Sequence, residues 1–309
     1  MSEPCVVSVI VPAFVASDAQ AALLDETLAT VEAQTFGAFE VVVVDDGSPL
    51  DVAAVVQRHA RARAVRQPNA GPAVARNTGV SASRGSFLVF LDADDHLLPP
   101  ALEAGLHALA GDPDAGFAVG PREEMTYDGA PVPWTVAPPP SQTSLYEPLL
   151  GFDWYIIPPS SVMFRRSVVE AVGGFRDPWG ADDLDFYLRA AWSFRARCYD
   201  TPAVTRYRRY SASSSRDGER MLRSIRAVYA RQAPLVSGNE ALERAFARGL
   251  QQLTSIFQDC LVENVADRVR SGQWRRALRS AATLARERPA RLVEAVRRSV
   301  SPSGTRAAG

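Results

Sequence analysis

Three runs of apolar residues, Val6 to Val11 (VVSVIV), Phe39 to Val44 (FEVVVV) and Ser86 to Leu91 (SFLVFL), restrict this chain more than any other feature. Each is apolar nearly throughout, so the strand it forms needs cover on both faces. That is the situation of a parallel sheet packed between helices. The segments between carry helical spacing: Ala21 to Gln34, Asp51 to Arg63, and Gly71 to Ser83 with Pro72 in a favourable first-turn position. Ala64 to Gln67 reads as a further short strand, and Pro12 is expected to stop the first one. Strand and helix alternate, which predicts an α/β domain with parallel strands and right-handed crossovers.

Beyond Pro99 and Pro100 the pattern is less regular. A helix over Ala101 to Ala110 precedes a strand at Gly116 to Gly120 and a Pro-rich segment, Pro131 to Pro140, that reads as a surface loop. Ser160 to Phe164 reads as a strand, Arg166 to Val172 as a short helix ending at Gly173 and Gly174, and Asp182 to Phe194 as a longer helix. From Gly218 onward helix follows helix, which divides the chain into 1–217 and 218–309.

Composition excludes several chemistries. The 309 residues carry a formal net charge of -1 with 47% hydrophobic content, enough for a large core, and no lysine occurs anywhere. A Walker A phosphate loop, a Schiff base and a pyridoxal-phosphate site each need a lysine, and a GC-rich coding bias would also remove it. Cys5, Cys198 and Cys260 are few and far apart with no CxxC pair, which suits a reducing cytosol. The opening MSEPCVVSVIVPAF lacks the basic start of a signal peptide, and no apolar stretch approaches the ~20 residues of a membrane span. A cytoplasmic location is expected.

Four polar clusters lie where such a sheet places ligands, at the carboxyl ends of its strands. Asp45-Asp46-Gly47-Ser48 follows VVVV and can accept hydrogen bonds from a base or ribose, although this tetrapeptide also makes ordinary turns. Asp92-Ala93-Asp94-Asp95 follows SFLVFL; Asp92 and Asp94 can converge on one hard cation, Mn2+ or Mg2+, and the alternative is a solvated acidic turn. Gly71 to Gly79 offers a helix N-terminus and Arg76, either for an anion or for a salt bridge to one of the aspartates. Asp182-Asp183-Leu184-Asp185 opens a helix, where acids also serve simply to complement the dipole.

Taken in order, Pro12-Ala13-Phe14, Asp45-Asp46-Gly47-Ser48, Gly71 to Gly79, Leu91 to Asp95, and Gly173-Gly174-Phe175 leading to Asp182-Asp183 and Leu188-Arg189 resemble family 2 of the glycosyltransferases over residues 5 to 215. The resemblance implies an A-type glycosyltransferase fold: a Rossmann-like nucleotide-binding half (1–98) and an acceptor-binding half (99–217) around a mixed central sheet, here with a C-terminal helical extension. It implies inverting transfer from a nucleotide diphosphate sugar, a UDP-sugar first among the candidates, to a glycan or lipid-linked glycan in cell-surface polysaccharide synthesis. Pro12, Ala13 and Phe14 would line the nucleotide pocket, Asp45 or Asp46 would hold base and ribose, and Arg76 would lie near the base or diphosphate. Asp92, Ala93 and Asp94 match the DxD motif, which handles ribose and metal, with Asp95 beside it. Asp183 matches the proposed catalytic base, and Asp182 replaces the usual Glu before it. Val15 stands where the family usually has Asn. Tyr210 stands in place of a histidine in Tyr207-Arg208-Arg209-Tyr210, so that Tyr210 or Arg208 would take over its part.

Trp134, Trp154, Tyr155 and Trp179 can stack on sugars or pack in the core, while His59, His96 and His107 read as surface residues, His96 alone near the DxD motif. The arginine-rich end, from Arg268 to Arg306 with Trp274 and Leu278 interleaved, reads as basic amphipathic helices, either resting on the inner membrane face or simply solvated. Nucleic acid is not expected, because the whole is not basic. Two competing functions remain: a nucleotide-sugar-binding or scaffolding subunit, suggested by Val15 and Tyr210, and a sugar nucleotidyltransferase, disfavoured by the missing Gly-rich loop and lysines. No GxGxxG follows a strand, which argues against a dinucleotide-dependent oxidoreductase.

Overall fold

A computed structural model describes residues 5–133, 144–156, 158–176, 180–209 and 216–300. The chain divides at 210/211 into two compact units.

The first unit begins with the predicted alternation: β1 (Val7–Ala13), α1 (Asp18–Glu32), β2 (Phe39–Asp46), α2 (Val52–Val56), β3 (Ala62–Gln67), α3 (Pro72–Ala82) and β4 (Phe87–Phe90). It continues with β5 (His96–Leu97), α4 (Ala101–Ala110), β6 (Ala115–Val119), β7 (Arg122–Met125), β8 (Pro131–Val132), α5 (Tyr146–Leu150), β9 (Val162–Arg165), α6 (Arg166–Ala171), α7 (Asp182–Ser193), β10 (Arg195–Cys198) and β11 (Thr205–Arg208). Seven strands form the main sheet in the order β10-β6-β9-β4-β1-β2-β3. β1, β2, β3 and β4 are mutually parallel where they pair, and β9 runs antiparallel between β4 and β6, so the sheet is mixed. β1 and β2 are buried almost residue for residue, as their nearly continuous apolar runs require.

Pro12 does not end β1. The strand continues to Ala13, paired with Asp45 of β2. Ile10 faces β4, accepting from the Leu91 amide at 2.9 Å, so Pro12, two residues on, faces the same side. β4 pairs with β1 only as far as Phe90, so the missing N–H at Pro12 has no ladder partner to fail. The helix expected over Asp51 to Arg63 closes after one turn and a half as α2, because residues 57–61 turn back and β3 begins at Ala62. His59 in that turn is buried rather than superficial, held between Asp25 at 2.9 Å and Glu32 at 3.1 Å.

A second sheet, β5-β11-β7-β8, has no counterpart in the sequence reading. Its strands are two to four residues long and polar, with TRYR and REEM as examples, so they lack an apolar run to announce them. β8 also begins the segment read as a loop; its remainder through residue 140 lies outside the described residues.

The second unit consists of α8 (Gly218–Val236), α9 (Glu240–Arg270), α10 (Trp274–Glu287) and α11 (Pro289–Val300). α8, α10 and α11 pack on the long α9 around Leu222, Leu261, Val262, Val265, Leu284 and Ala295. Among the described residues no helix is long and apolar enough to cross a membrane.

Candidate functional site

Because β1, β2 and β4 are parallel, the segments that follow them emerge at one edge of the sheet. At the end of β1, Ala13 is buried, Pro12 half-buried, and the Phe14 ring stands 47% exposed, which is costly for a side chain of that size unless something flat covers it. Val15, in the position where Asn was expected, turns inward and is buried; its amide donates to Ser48 Oγ at 2.8 Å and ties the β1 end to the β2 turn.

Asp45 and Asp46 are both buried and both engaged. Asp45 accepts from the Ser48 amide at 2.8 Å and from Arg66 Nη1 at 2.5 Å. Asp46 accepts from Gln67 Nε2 at 2.7 Å and, at 2.8 Å each, from the amides of Ala70 and Gly71. It thereby fixes the turn that delivers α3, and Thr78 Oγ1 locks Gln67 in place at 2.6 Å. α3 then lies tight on the sheet at Gly79, where a Cβ would stand 2.3 Å from a methyl of Ile10.

Arg76, on the buried side of α3, is the centre of the arrangement. Its Nη2 donates to Asp92 at 2.8 Å and its Nη1 to Asp182 at 2.6 Å, so one guanidinium joins the DxD loop to the start of α7. The Phe175 ring lies beneath the guanidinium, 5.3 Å from ring centre to Cζ. Asn77, the next residue, donates to the Phe175 carbonyl and accepts from its amide, both at 2.8 Å, which clamps the Gly-Gly-Phe turn to α3. Gly174 sits at φ +66° with a Cβ position only 2.4 Å from Asn77 Oδ1, so no other residue fits this turn unchanged. Immediately before α7, Ala181 adopts a left-handed φ of 41°, a strained conformation that aims Asp182 and Asp183 into the site.

The carboxylates there are unusual acids. Burial pushes the Asp182 pKa up to about 7, against the opposing pull of Arg76 and with a further push from Asp183. Asp183, half-buried, is also raised, chiefly by burial, while the Leu184 amide and Arg76 favour its charged form. Tyr187, four residues on from Asp183 along α7, is buried with no partner for its hydroxyl among the described residues, and burial followed by the charge of Asp183 lifts its pKa far above the normal value. The sequence reading passed over Tyr187; its i, i+4 spacing from Asp183 was the available signal.

The DxD turn is fastened from below. Arg208, on β11, donates from Nε to the Asp94 carbonyl at 2.7 Å, and its amide donates to Asp95 Oδ1 at 2.8 Å. Its remaining nitrogens reach the Tyr127 carbonyl at 2.5 Å, Glu26 at 3.0 Å and His96 at 3.1 Å. Arg208 is thus buried and occupied, and the short second sheet exists to hold this turn. His96 reaches the site through Arg208 and Glu26, to which it bonds at 2.8 Å. Asp95 is buried, its Oδ2 has no partner among the described residues, and burial followed by Asp94 and Asp92 raises its pKa well above the usual range. Asp92, Ala93 and Asp94 remain half-buried.

Among the described residues no three His, Cys, Asp or Glu side chains come together as a ready-made metal cage. Hard carboxylate oxygens crowded at one turn, one of them orphaned, nevertheless fit a small divalent cation that takes its other oxygens from a diphosphate.

Of the aromatic candidates, Trp154 is half-buried with no partner for its indole N–H among the described residues, and Tyr155 stacks on Phe152 at 5.0 Å beside Arg122. Trp134, Trp179 and Tyr210 lie outside the described residues.

Comparison with known proteins places this geometry. Residues 8–173 match the family model described as glycosyl transferase family 2. The uncharacterized protein MT1568 of Mycobacterium tuberculosis is 30% identical over 230 residues, which cover 68% of this chain and 70% of that one. The putative glycosyltransferase EpsH of Bacillus subtilis is 26% identical over 241 residues, covering 70% of this chain and 66% of that one, just under two thirds of its length. The S. aureus TarS 1–349 structure in complex with UDP-GlcNAc superposes with a TM-score of 0.63 at 17% identity, over 95% of this chain and 88% of that one. The fold is therefore that of the A-type glycosyltransferases, mixed sheet and C-terminal helices included.

Proposed function

The chain belongs to glycosyl transferase family 2, and we propose that as a glycosyltransferase it moves a sugar from a nucleotide diphosphate donor to an acceptor hydroxyl by a single displacement, with inversion at the anomeric carbon. The observation that carries this reading is the tie made by Arg76, which holds the DxD aspartate Asp92 and the acid pair Asp182-Asp183 at one site. A donor and a base must meet there if a hydroxyl is to attack from the face opposite the leaving diphosphate.

Asp183 is the base in this reading. Its raised pKa makes its carboxylate a stronger proton acceptor than an ordinary aspartate, and accepting the hydroxyl proton is worth ~10² to 10⁴ in rate. Phe14 offers an exposed ring to the base of the nucleotide, with Pro12 and Ala13 beside it. Asp45 and Asp46 shape the pocket wall through the amides and side chains they hold, which leaves base and ribose to be read by the groups they position. Arg76 acts in the same way, orienting carboxylates rather than gripping phosphate.

Asp94, with Asp92, would hold a divalent cation, Mn2+ or Mg2+, which when bound neutralises charge on the departing diphosphate. Arg208 keeps the backbone of that turn in place.

A UDP-sugar is the first donor to test, since the TarS structures hold UDP-GlcNAc and UDP. The acceptor proposed is a glycan or lipid-linked glycan reached from the cytoplasmic side. The test is a panel of UDP-, dTDP- and GDP-sugars with Mn2+ or Mg2+, scored for binding, hydrolysis and the anomeric configuration of the product. One donor should be turned over with inversion; no binding across the panel, or a retained configuration, overturns the proposal. Binding without transfer to any acceptor would favour a nucleotide-sugar-binding subunit instead.

A further inference from the structure

The second unit carries, on α10, an exposed face that is both apolar and basic. α10 buries Ala277, Ser280 and Leu284 against the rest of that unit. At 3.6 residues per turn the opposite side of the helix divides into two strips. Trp274, Leu278, Ala282 and Ala285 make one, and Arg275, Arg279 and Arg286 the other. Trp274 is 61% and Leu278 70% exposed, which places a tryptophan and a leucine in water while Leu284 alone of the large apolar side chains of the helix faces the core.

The charge around this face is one-sided. Residues 271–300 hold eight arginines and two acids. Both acids are taken: Glu287 receives Arg226, with Nη1 at 2.7 Å, and Glu294 receives Arg291 and Arg298. Among the described residues Arg275, Arg279, Arg286 and Arg288 have no acid within ion-pair distance, and all four are exposed.

We propose that α10 is a membrane-surface helix, with Trp274 and Leu278 entering the headgroup boundary of an anionic bilayer and Arg275, Arg279 and Arg286 pairing with its phosphates. The apolar strip suits shallow insertion beside a line of cations. A second copy of this chain would bring arginine against arginine. A soluble polyanion would satisfy the arginines and leave Trp274 and Leu278 in water. Only a surface that is both anionic and apolar beneath satisfies the two strips together, and each arginine then adds to the attraction.

The test is co-sedimentation of the full chain with vesicles of phosphatidylcholine alone and of phosphatidylcholine with phosphatidylglycerol. Binding is expected to the anionic vesicles only, weakened by salt. R275E/R279E/R286E should lose binding by more than about tenfold, and W274A/L278A should lose most of it at unchanged charge. All these positions are exposed, and an unaltered circular dichroism spectrum with unchanged donor binding shows that each variant is folded. The proposal is overturned by equal binding to neutral vesicles, by binding that survives either variant, or by no vesicle binding. Self-association abolished by the same substitutions, or capture by heparin in place of vesicles, would likewise overturn it. Because the readout is sedimentation, its failure would say nothing against sugar transfer, and failure of transfer would leave it standing.

Discussion

Arg76 donates to the Asp182 carboxylate at 2.6 Å across 106 positions of sequence, with both side chains buried. The contact joins the helix that follows β3 to the helix that carries the proposed base, and it fixes how far apart those two parts of the site can be.

Removing that cation should be expensive in a pH-dependent way. Arg76→Gln leaves Asp182 buried with its charge uncompensated, a change that costs about 3–5 kcal/mol when the acid is ionised. The folded-state pKa of Asp182 is already raised to about 7 from an unfolded value near 3.8, so below neutrality the folded chain holds the proton in either variant. The extra cost should therefore be small at acid pH and grow as pH rises beyond about 7. Denaturant titrations of both proteins at several pH values check this, and a cost independent of pH would refute it.

The pH dependence of transfer follows from Asp183, which must be ionised to act as base. Its folded-state pKa lies above the ordinary 3.8, so kcat should rise with pH along an acid limb displaced upward from that of a free aspartate. Arg76 favours the ionised form, and Arg76→Gln should move the limb to still higher pH. A limb that stays where it is would show that Asp183 does not control the rate.

Asp183→Asn keeps shape and burial but cannot accept a proton. Transfer should fall by ~10² to 10⁴, while donor binding, measured by calorimetry, stays within a few-fold. Weak donor binding would assign Asp183 to the donor instead.

Asp46→Ala is predicted to act on stability first. It strips three donors of their acceptor, including the amides of Ala70 and Gly71, and should cost about 2–4 kcal/mol. Thermal melts without nucleotide would show the loss directly. If stability is untouched and only nucleotide affinity falls, Asp46 is a direct ligand.

Tyr187→Phe tests a buried hydroxyl that has no partner among the described residues. Deleting it should leave stability unchanged or raise it by about 1 kcal/mol. Transfer should slow, because a polar group kept at such a cost beside Asp183 is expected to meet substrate or base during the reaction. An unaltered rate would remove Tyr187 from the site.

The strands and the order of the polar clusters are readable in the sequence because a strand buried on both faces is written as a nearly continuous apolar run; the interruptions, Ser8 in β1 and Glu40 in β2, bond to each other at 2.9 Å. The second sheet is not: TRYR and REEM gain their strand conformation from each other and from the DxD turn they brace, and nothing local requires it. The reading of Arg76 left a diphosphate and an aspartate as alternatives; the structure shows the aspartates, two of them at once. Arg208, which the family resemblance puts forward with Tyr210 in place of a histidine, donates to the carbonyls of Asp94 and Tyr127 and to Glu26, contacts that no local pattern announces.

Apolar runs and their limits along the chain suffice to say which residues stand at the carboxyl ends of the strands. Which of those charged groups pair with one another is settled in three dimensions. The choice depends on burial and on partners brought together from positions as distant as 76 and 182, and a guanidinium or carboxylate buried beside an opposite charge gains more from that neighbour than any local pattern can record.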